Sequence, residues 1–474
     1  MQKMWRWVLY LLMIFLTMSS SVESQGIYNL TFSEIEKAKA IYDDPKPLYQ
    51  VLSHKKVLPP EVYSKVTFDP EAMKKLWAEV VGFKAPDQVG KIAPEIKPGI
   101  YNYKDKDKYP FKELMIPYFY NQFRAPGPPL MGTYSNIKVI PTRQYYWALP
   151  IAEATKKNMG KTKLDNKGYL IYDTYESGIP FPRPEGPFKA QQIVYNWEKR
   201  YVNGESFFYM SKAYGYPKSL REDFDMLMVA KGMKLEGRVI LDPKGWFDDR
   251  AKKNKEGRTF MSETLSPRDI FGNVILWVSY NDPDKYDLFL MYINALRRIR
   301  KLSTTDTQDP MAGQDLIYDD GDAFIQKLTP NRYPYKFEVI AEREYLLPAY
   351  TVDYAEYTNS KTKEFVDWEF ERRPMYVVKL TQLDKNYVYG HRILYFDKET
   401  CILVFTEGYD QKGRLYRTGL FRNVFHPDQG MFYFSDLLAQ DHIDLHSTWQ
   451  RVYIVPAPML TRDDLSLTAM GKIK

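Results

Sequence analysis

Apolar and polar positions alternate through most of the second half of the chain, and residues 390–425 show this most clearly. Residues 392–396 run into the polar turn Asp397-Lys398-Glu399-Thr400, and residues 401–407 follow. The turn Tyr409-Asp410-Gln411-Lys412-Gly413 then leads into residues 414–425. Turns this short join antiparallel neighbours, because parallel strands need a crossover of a dozen or more residues. Similar runs at 206–211, 234–241, 273–280, 286–299, 335–347, 351–357, 364–370, 375–383 and 448–455 predict further strands. Asn281-Asp282-Pro283-Asp284-Lys285 reads as a hairpin loop. The expectation is α+β, with one large, strongly curved antiparallel sheet forming an incomplete barrel and helices over its concave face. Such a sheet is either a filled core or a wall around an apolar guest.

Helical periodicity is rarer. Asp69-Pro70 gives an N-cap followed by proline at the first helical position, and Gly82 a stop, which predicts a helix over 70–81. Residues 151–158, before Gly160, predict a second. Over 187–201, Ala190, Ile193, Val194, Trp197 and Tyr201 share one face, with Gln192, Asn196, Lys199 and Arg200 on the other. In the stretch 178–187 the alternating prolines bar a helix and predict an extended strap. This divides the chain into a Pro- and Tyr-rich region (25–185), the curved-sheet domain (186–458) and a tail (459–474).

One strand departs from simple alternation. Over 288–296 both faces are apolar: Leu288, Leu290, Tyr292 and Leu296 on one, Phe289, Met291, Ile293 and Ala295 on the other. Something must cover both sides, either ordinary protein packing or, on one side, a cavity suited to a lipid tail. Strand parity and aromatic size nominate Trp277, Leu290, Tyr292, Trp368, Tyr376 and Phe405 as cavity residues. Arg298 and Arg300, beside Arg297, are placed at the rim to meet an anionic headgroup, with pairing to Asp319, Asp320 and Asp322 as the other reading.

Composition narrows the classes. Lys and Arg number 67 against 60 Asp and Glu, a net charge of +7, which is a mixed surface rather than a nucleic-acid stripe. Tyrosine is abundant, 39 against 26 Phe, and suits half-buried sheet positions. Lys3 and Arg6 before an apolar run over 7–18, with small residues up to Ser24, predict a cleaved secretory signal over residues 1–24. Twelve residues rise about 18 Å as a helix, short of a roughly 30 Å hydrocarbon core. A soluble periplasmic protein is therefore expected. Cys401 is the single cysteine and reads as a buried, inert thiol in a strand. His442 and His446 have the spacing of a shared helix face but lack a third ligand, and Asp319-Asp320-Gly321-Asp322 lacks the ligand spacing of an EF-hand loop and reads as a solvated turn. No phosphate loop, nucleophile elbow or haem motif occurs. Neither a metal, a cofactor nor an enzymatic activity is expected.

Ser177-Gly178-Ile179-Pro180-Phe181-Pro182 followed by Tyr195-Asn196-Trp197 resembles a block in the bacterial domain-of-unknown-function family thirteen twenty-nine. Val139-Ile140-Pro141-Thr142-Arg143 lies upstream of it, and Leu296-Arg297-Arg298-Ile299-Arg300 with Asp319-Asp320 looks like the family's central block. Phe337, Ile340, Arg343-Glu344 and Leu347-Pro348, then Arg392, Tyr395 and Asp397, then Asp410 and Gly413-Arg414-Leu415, complete the order, over roughly residues 110–455. The resemblance implies an exported protein with a fold like the lipoprotein carriers LolA and LolB. It also implies a setting that includes a lipid exporter of the resistance-nodulation-division type and an outer-membrane protein. It implies no catalytic residues. Three readings remain: a periplasmic carrier or chaperone for a lipid, a sterol-like molecule or a lipoprotein acyl chain; an envelope adaptor without its own ligand; and an unrecognised hydrolase.

Overall fold

In a computed structural model, the described residues run from 54 to 471, apart from residues 59, 304–305, 332, 352–356, 360 and 367. The predicted signal over 1–24, the region up to residue 53 and most of the predicted strand at 351–357 lie outside them. Among the described residues no helix is long and apolar enough to cross a membrane.

Sixteen strands form one sheet. In chain order they are β1 (Gly99–Asn102), β2 (Asn136–Val139), β3 (Ser206–Tyr216), β4 (Phe224–Lys234), β5 (Glu256–Ser266), β6 (Val274–Tyr280), β7 (Leu288–Ile293), β8 (Arg298–Lys301), β9 (Tyr335–Leu347) and β10 (Tyr350–Thr351). A separate two-stranded ribbon holds β11 (Tyr357–Thr358) and β12 (Phe365–Val366). The large sheet resumes with β13 (Glu369–Gln382), β14 (His391–Asp397), β15 (Leu403–Tyr409), β16 (Leu415–His426), β17 (Met431–Asp441) and β18 (His446–Pro456). The spatial order is β1-β2-β13-β14-β15-β16-β17-β18-β3-β4-β5-β6-β7-β8, with β9 beside β13 and β10 beside β16. Every long pairing is antiparallel; only the two-residue pairings β10–β16 and β13–β2 are parallel. Two meanders, β13–β18 and β3–β8, thus meet where β18 pairs with β3.

Three helices of ten residues or more pack against this sheet: α1 (Pro70–Val81), α2 (Leu149–Asn158) and α3 (Lys189–Glu198). The Asp69 carboxylate accepts the Glu71 amide at 3.1 Å, and Gly82 closes α1 at φ 89°, a left-handed geometry that costs glycine little. α1 buries Met73, Trp77, Val80 and Val81. In α3 the apolar stripe is buried as the periodicity predicts, but the opposite face is not left to solvent. Asn196 is buried, and its amide accepts from Phe181 N and donates to Phe181 O, both at 2.8 Å. The proline-rich strap over 178–187 has no strand partner, so side chains satisfy its backbone: Asn196 takes both groups of Phe181, Tyr201 and Thr155 accept the amides of Gly178 and Ile179, and Gln192 pairs with both groups of Glu185. Lys199 and Arg200, beyond the helix end, are also buried, paired with Glu236 and Asp322.

Several predicted elements shift. The predicted strand at 234–241 is instead the end of β4 and the bend after it, where Glu205 accepts the amides of Val239, Ile240 and Leu241. The run predicted over 286–299 breaks into β7, a short 3-10 turn at Asn294–Leu296, and β8. Cys401 lies in the turn before β15, not in a strand, at φ 60°. Its thiol is buried, which pushes its pKa up to about 12 and leaves it unreactive.

Candidate apolar cavity beneath an acidic strap

The two-faced strand β7 decides where the cavity lies. Leu290, with Leu288 and Tyr292 beside it, belongs to one apolar cluster with Met261, Leu276 and the C-terminal residues Ala457, Leu460, Leu465 and Met470. Phe289 and Met291 point the other way and line a cavity of about 360 Å³. Adjacent strands add Met228 from β4, Phe260 and Ser262 from β5, and Ile275 and Trp277 from β6. From the other meander come Phe421, Phe434, Leu437, Val452 and Ile454. Strands β16 to β7 are eight neighbours in the sheet order, which laid flat would span about 34 Å at roughly 4.8 Å per step. Residues from both ends meet around one small space, so the sheet is strongly bent there.

The cavity is covered by an irregular strap, residues 306–330, rather than by long helices. Met311, Leu316, Tyr318 and Ile325 of the strap close it over the sheet. A second, polar chamber of about 350 Å³ shares Trp277, Phe289 and Ile325 with the first. Its other walls include Asp287, Lys301, Ser303, Asp319 and Lys327.

The acidic run Asp319-Asp320-Gly321-Asp322 ties this strap down, and it is neither a solvated turn nor paired with Arg297, Arg298 or Arg300. Arg392 on β14 donates to Asp320 at 2.7 Å, and the Tyr389 hydroxyl donates to the same carboxylate at 2.7 Å. Asp319 is buried and accepts from Tyr387 and Gln326, each at 2.7 Å. Burial pushes its pKa up to about 6 against the pull of those donors. Asp322 pairs with Arg200. Just before the acidic run, Asp315 accepts from Thr448 and lies 2.7 Å from His446 Nδ1, and Asp315, with Asp223 on the other ring nitrogen, raises the His446 pKa to about 9. His442 and His446 flank a β-hairpin turn and do not share a helix face. Among the described residues no group of three His, Cys, Asp or Glu is placed to hold a metal.

Of the residues nominated from sequence, Trp277 lines the cavity. Leu290 and Tyr292 lie on the opposite face of β7. Trp368 is buried in the main core, stacked on Phe365 with the Arg422 guanidinium 3.9 Å from its ring. Tyr376 sits beneath Lys189 and Lys398, and Phe405 packs on Tyr118 and Phe119. Arg298 and Arg300 are exposed on β8, and Arg300 faces Asp306 at 3.6 Å. The strap was missed because it has no period, and its ties reach partners far along the chain.

A model of the family described as Protein of unknown function (DUF1329) matches residues 128–458. The chain belongs to this family. The DUF1329 match takes in β2 to β18 and the whole cavity, whereas α1 and β1 lie before it. No match is found among curated proteins. Three solved structures are similar. A candidate outer membrane lipoprotein-sorting protein domain from Vibrio parahaemolyticus is 16% identical, with 59% of this chain and 97% of that one covered and a TM-score of 0.42. A DUF1329 family protein from Desulfovibrio piger is 14% identical, with 56% and 91% covered and a TM-score of 0.40. A LolA superfamily protein from Nitrosomonas europaea is 14% identical, with 59% and 98% covered and a TM-score of 0.37.

Proposed function

We propose that this protein is a periplasmic carrier or chaperone that buries a hydrophobic ligand: a lipid, a sterol-like molecule or a lipoprotein acyl chain. The observation that carries the reading is the cavity of about 360 Å³ walled by Phe260, Ile275, Trp277, Phe289, Met291 and Phe421. Ligand pockets fall between about 300 and 1,000 Å³, so this one suits a single small guest or one acyl chain. Apolar burial at roughly 25 cal/mol per Å² supplies the affinity, and the reaction is reversible burial without covalent chemistry. Release requires the strap to lift or a partner to offer a better site. An inner-membrane lipid exporter of the resistance-nodulation-division type and an outer-membrane protein are the partners this reading assigns. The residues up to 24 are proposed as its signal, and the sheet over 186–458 as its binding domain.

The test is mild extraction of the purified native protein followed by mass spectrometry. A stoichiometric copurifying lipid is expected. Ser262→Phe and Val452→Phe each place a ring in the cavity and are expected to cut lipid recovery at least tenfold, with the unfolding midpoint little changed. Repeated absence of lipid, together with no binding of added fatty acids or sterols, would return the protein to the adaptor reading.

A further inference from the structure

Residues 295–301 form an unbroken exposed run at the end of the sheet. β8 pairs with β7 on one side and closes the strand order, so among the described residues its other edge has no strand partner. Leu296 is 63% and Ile299 46% exposed, which is unusual for aliphatic side chains placed so close together. Around them stand Arg297, Arg298, Arg300 and Lys301. Among the described residues only Arg300 of these four has an ion-pair partner, Asp306 at 3.6 Å. Arg297 adopts φ 48° and turns the chain from the 3-10 segment into β8.

Charges on an edge strand are an ordinary protection against pairing with another sheet. That need explains the cations but not the two exposed aliphatics beside them. The opposite edge strand, β1, carries no charged residue. The position of the patch is also informative. Lys301 and Leu302 line the polar chamber, and that chamber shares three residues with the apolar cavity.

We propose that residues 296–301 are a docking surface for an anionic lipid bilayer. Leu296 and Ile299 enter the interface, while Arg297, Arg298, Arg300 and Lys301 bind lipid phosphates. In register with β7, Ile299 and Lys301 project from one face of the edge strand and Arg298 and Arg300 from the other, so a bilayer meeting this edge finds aliphatic and cationic side chains together, matching a surface that is apolar just beneath a layer of negative charge. The patch adds a membrane partner to the carrier reading, and the surface itself does not depend on the cavity being filled.

The experiment is cosedimentation of the full chain with vesicles of phosphatidylcholine alone or phosphatidylcholine with phosphatidylglycerol. Wild type should bind the phosphatidylglycerol vesicles, and added salt should weaken binding. Each basic residue near such a surface contributes about 1 kcal/mol. The triple variant Arg297→Gln, Arg298→Gln, Arg300→Gln should therefore lose on the order of a hundredfold in affinity. The pair Leu296→Ser, Ile299→Ser should lose severalfold, and Ile100→Ser on β1 nothing. Equal binding of wild type to both vesicle types, or an unaffected triple variant, overturns the proposal. Self-association through β8 in sedimentation velocity, without vesicle binding, replaces it with strand pairing between copies. Ligand retention is scored separately, by native mass spectrometry without membranes. The triple variant should keep whatever lipid wild type holds. Lipid retained without vesicle binding removes the docking surface alone, and vesicle binding by a protein that never holds lipid removes the carrier alone.

Discussion

Replacing Arg373 by methionine is expected to destabilise the protein by about 3–5 kcal/mol or more at pH 7, because it strands three buried carboxylates. Arg373 is fully buried. Its guanidinium donates to Asp397 at 2.6 Å, to Glu399 at 2.8 Å, to Glu371 at 3.0 Å and to the Arg143 carbonyl at 2.7 Å. The carboxylates also join distant segments. Glu371 accepts from Arg143 N and the Tyr145 hydroxyl, and Glu399 from Ala85 N and Tyr145 N. The network thus stitches the loop after α1 and the stretch before α2 onto β13 and the β14–β15 turn. One cation facing three carboxylates leaves negative charge in excess, and burial pushes the Glu399 pKa up to about 7 and raises that of Glu371.

Removing the cation therefore costs most where the carboxylates are ionised. Urea unfolding of wild type and Arg373→Met at pH 5 and pH 7 should show a smaller deficit at pH 5, where the stranded groups take up protons. Arg373→Lys keeps the charge but loses the forked geometry, and should fall between the two. Deficits of equal size at both pH values would mean that lost packing, not stranded charge, sets the cost.

The network also shows what sequence can and cannot convey. Asp397 and Glu399 are legible as parts of a tight polar turn between two strands, and that turn forms. Nothing local says that the turn is buried, since its partner Arg373 belongs to another strand and Ala85 lies 314 residues away. The α1 boundaries were readable because Asp69, Pro70 and Gly82 act within one helical turn. β4 was not readable, because Asp225-Met226-Leu227-Met228-Val229-Ala230-Lys231 is rich in residues that favour helices and lacks alternation. On β7, periodicity finds two apolar faces but cannot rank them. The choice is made by the apolar cluster that includes Leu290 and the distant C-terminal residues Leu460, Leu465 and Met470, which leaves Phe289 and Met291 to the cavity.

The same limit hid Glu263, whose replacement should stabilise the protein. It lies on β5, flanked in register by Val229 on β4 and Val274 on β6. The side chain is 1% exposed, and neither carboxyl oxygen has a hydrogen-bond partner. Burial pushes its pKa up to about 8 from an ordinary 4.5, with Lys231 opposing the shift. A carboxyl whose pKa is raised on folding favours the folded state only while it is protonated in both states. Its contribution is therefore fully present below about pH 4.5 and is lost as pH rises through about 8. At about 1.4 kcal/mol per pH unit, the loss by pH 7 is about 3 kcal/mol. Glu263→Leu removes the titrating group and fits between two valines. It is expected to leave stability nearly unchanged at pH 4.5 and to raise it by up to about 3 kcal/mol at pH 7, read from urea midpoints. Glu263→Gln should flatten the same pH dependence with a smaller gain, because its amide remains without a partner among valines. A wild-type protein whose stability does not fall between pH 4.5 and pH 8 relative to Glu263→Leu would show that this carboxyl is solvated or paired in solution, and that the interior of the sheet at β5 is less closed than its neighbours imply.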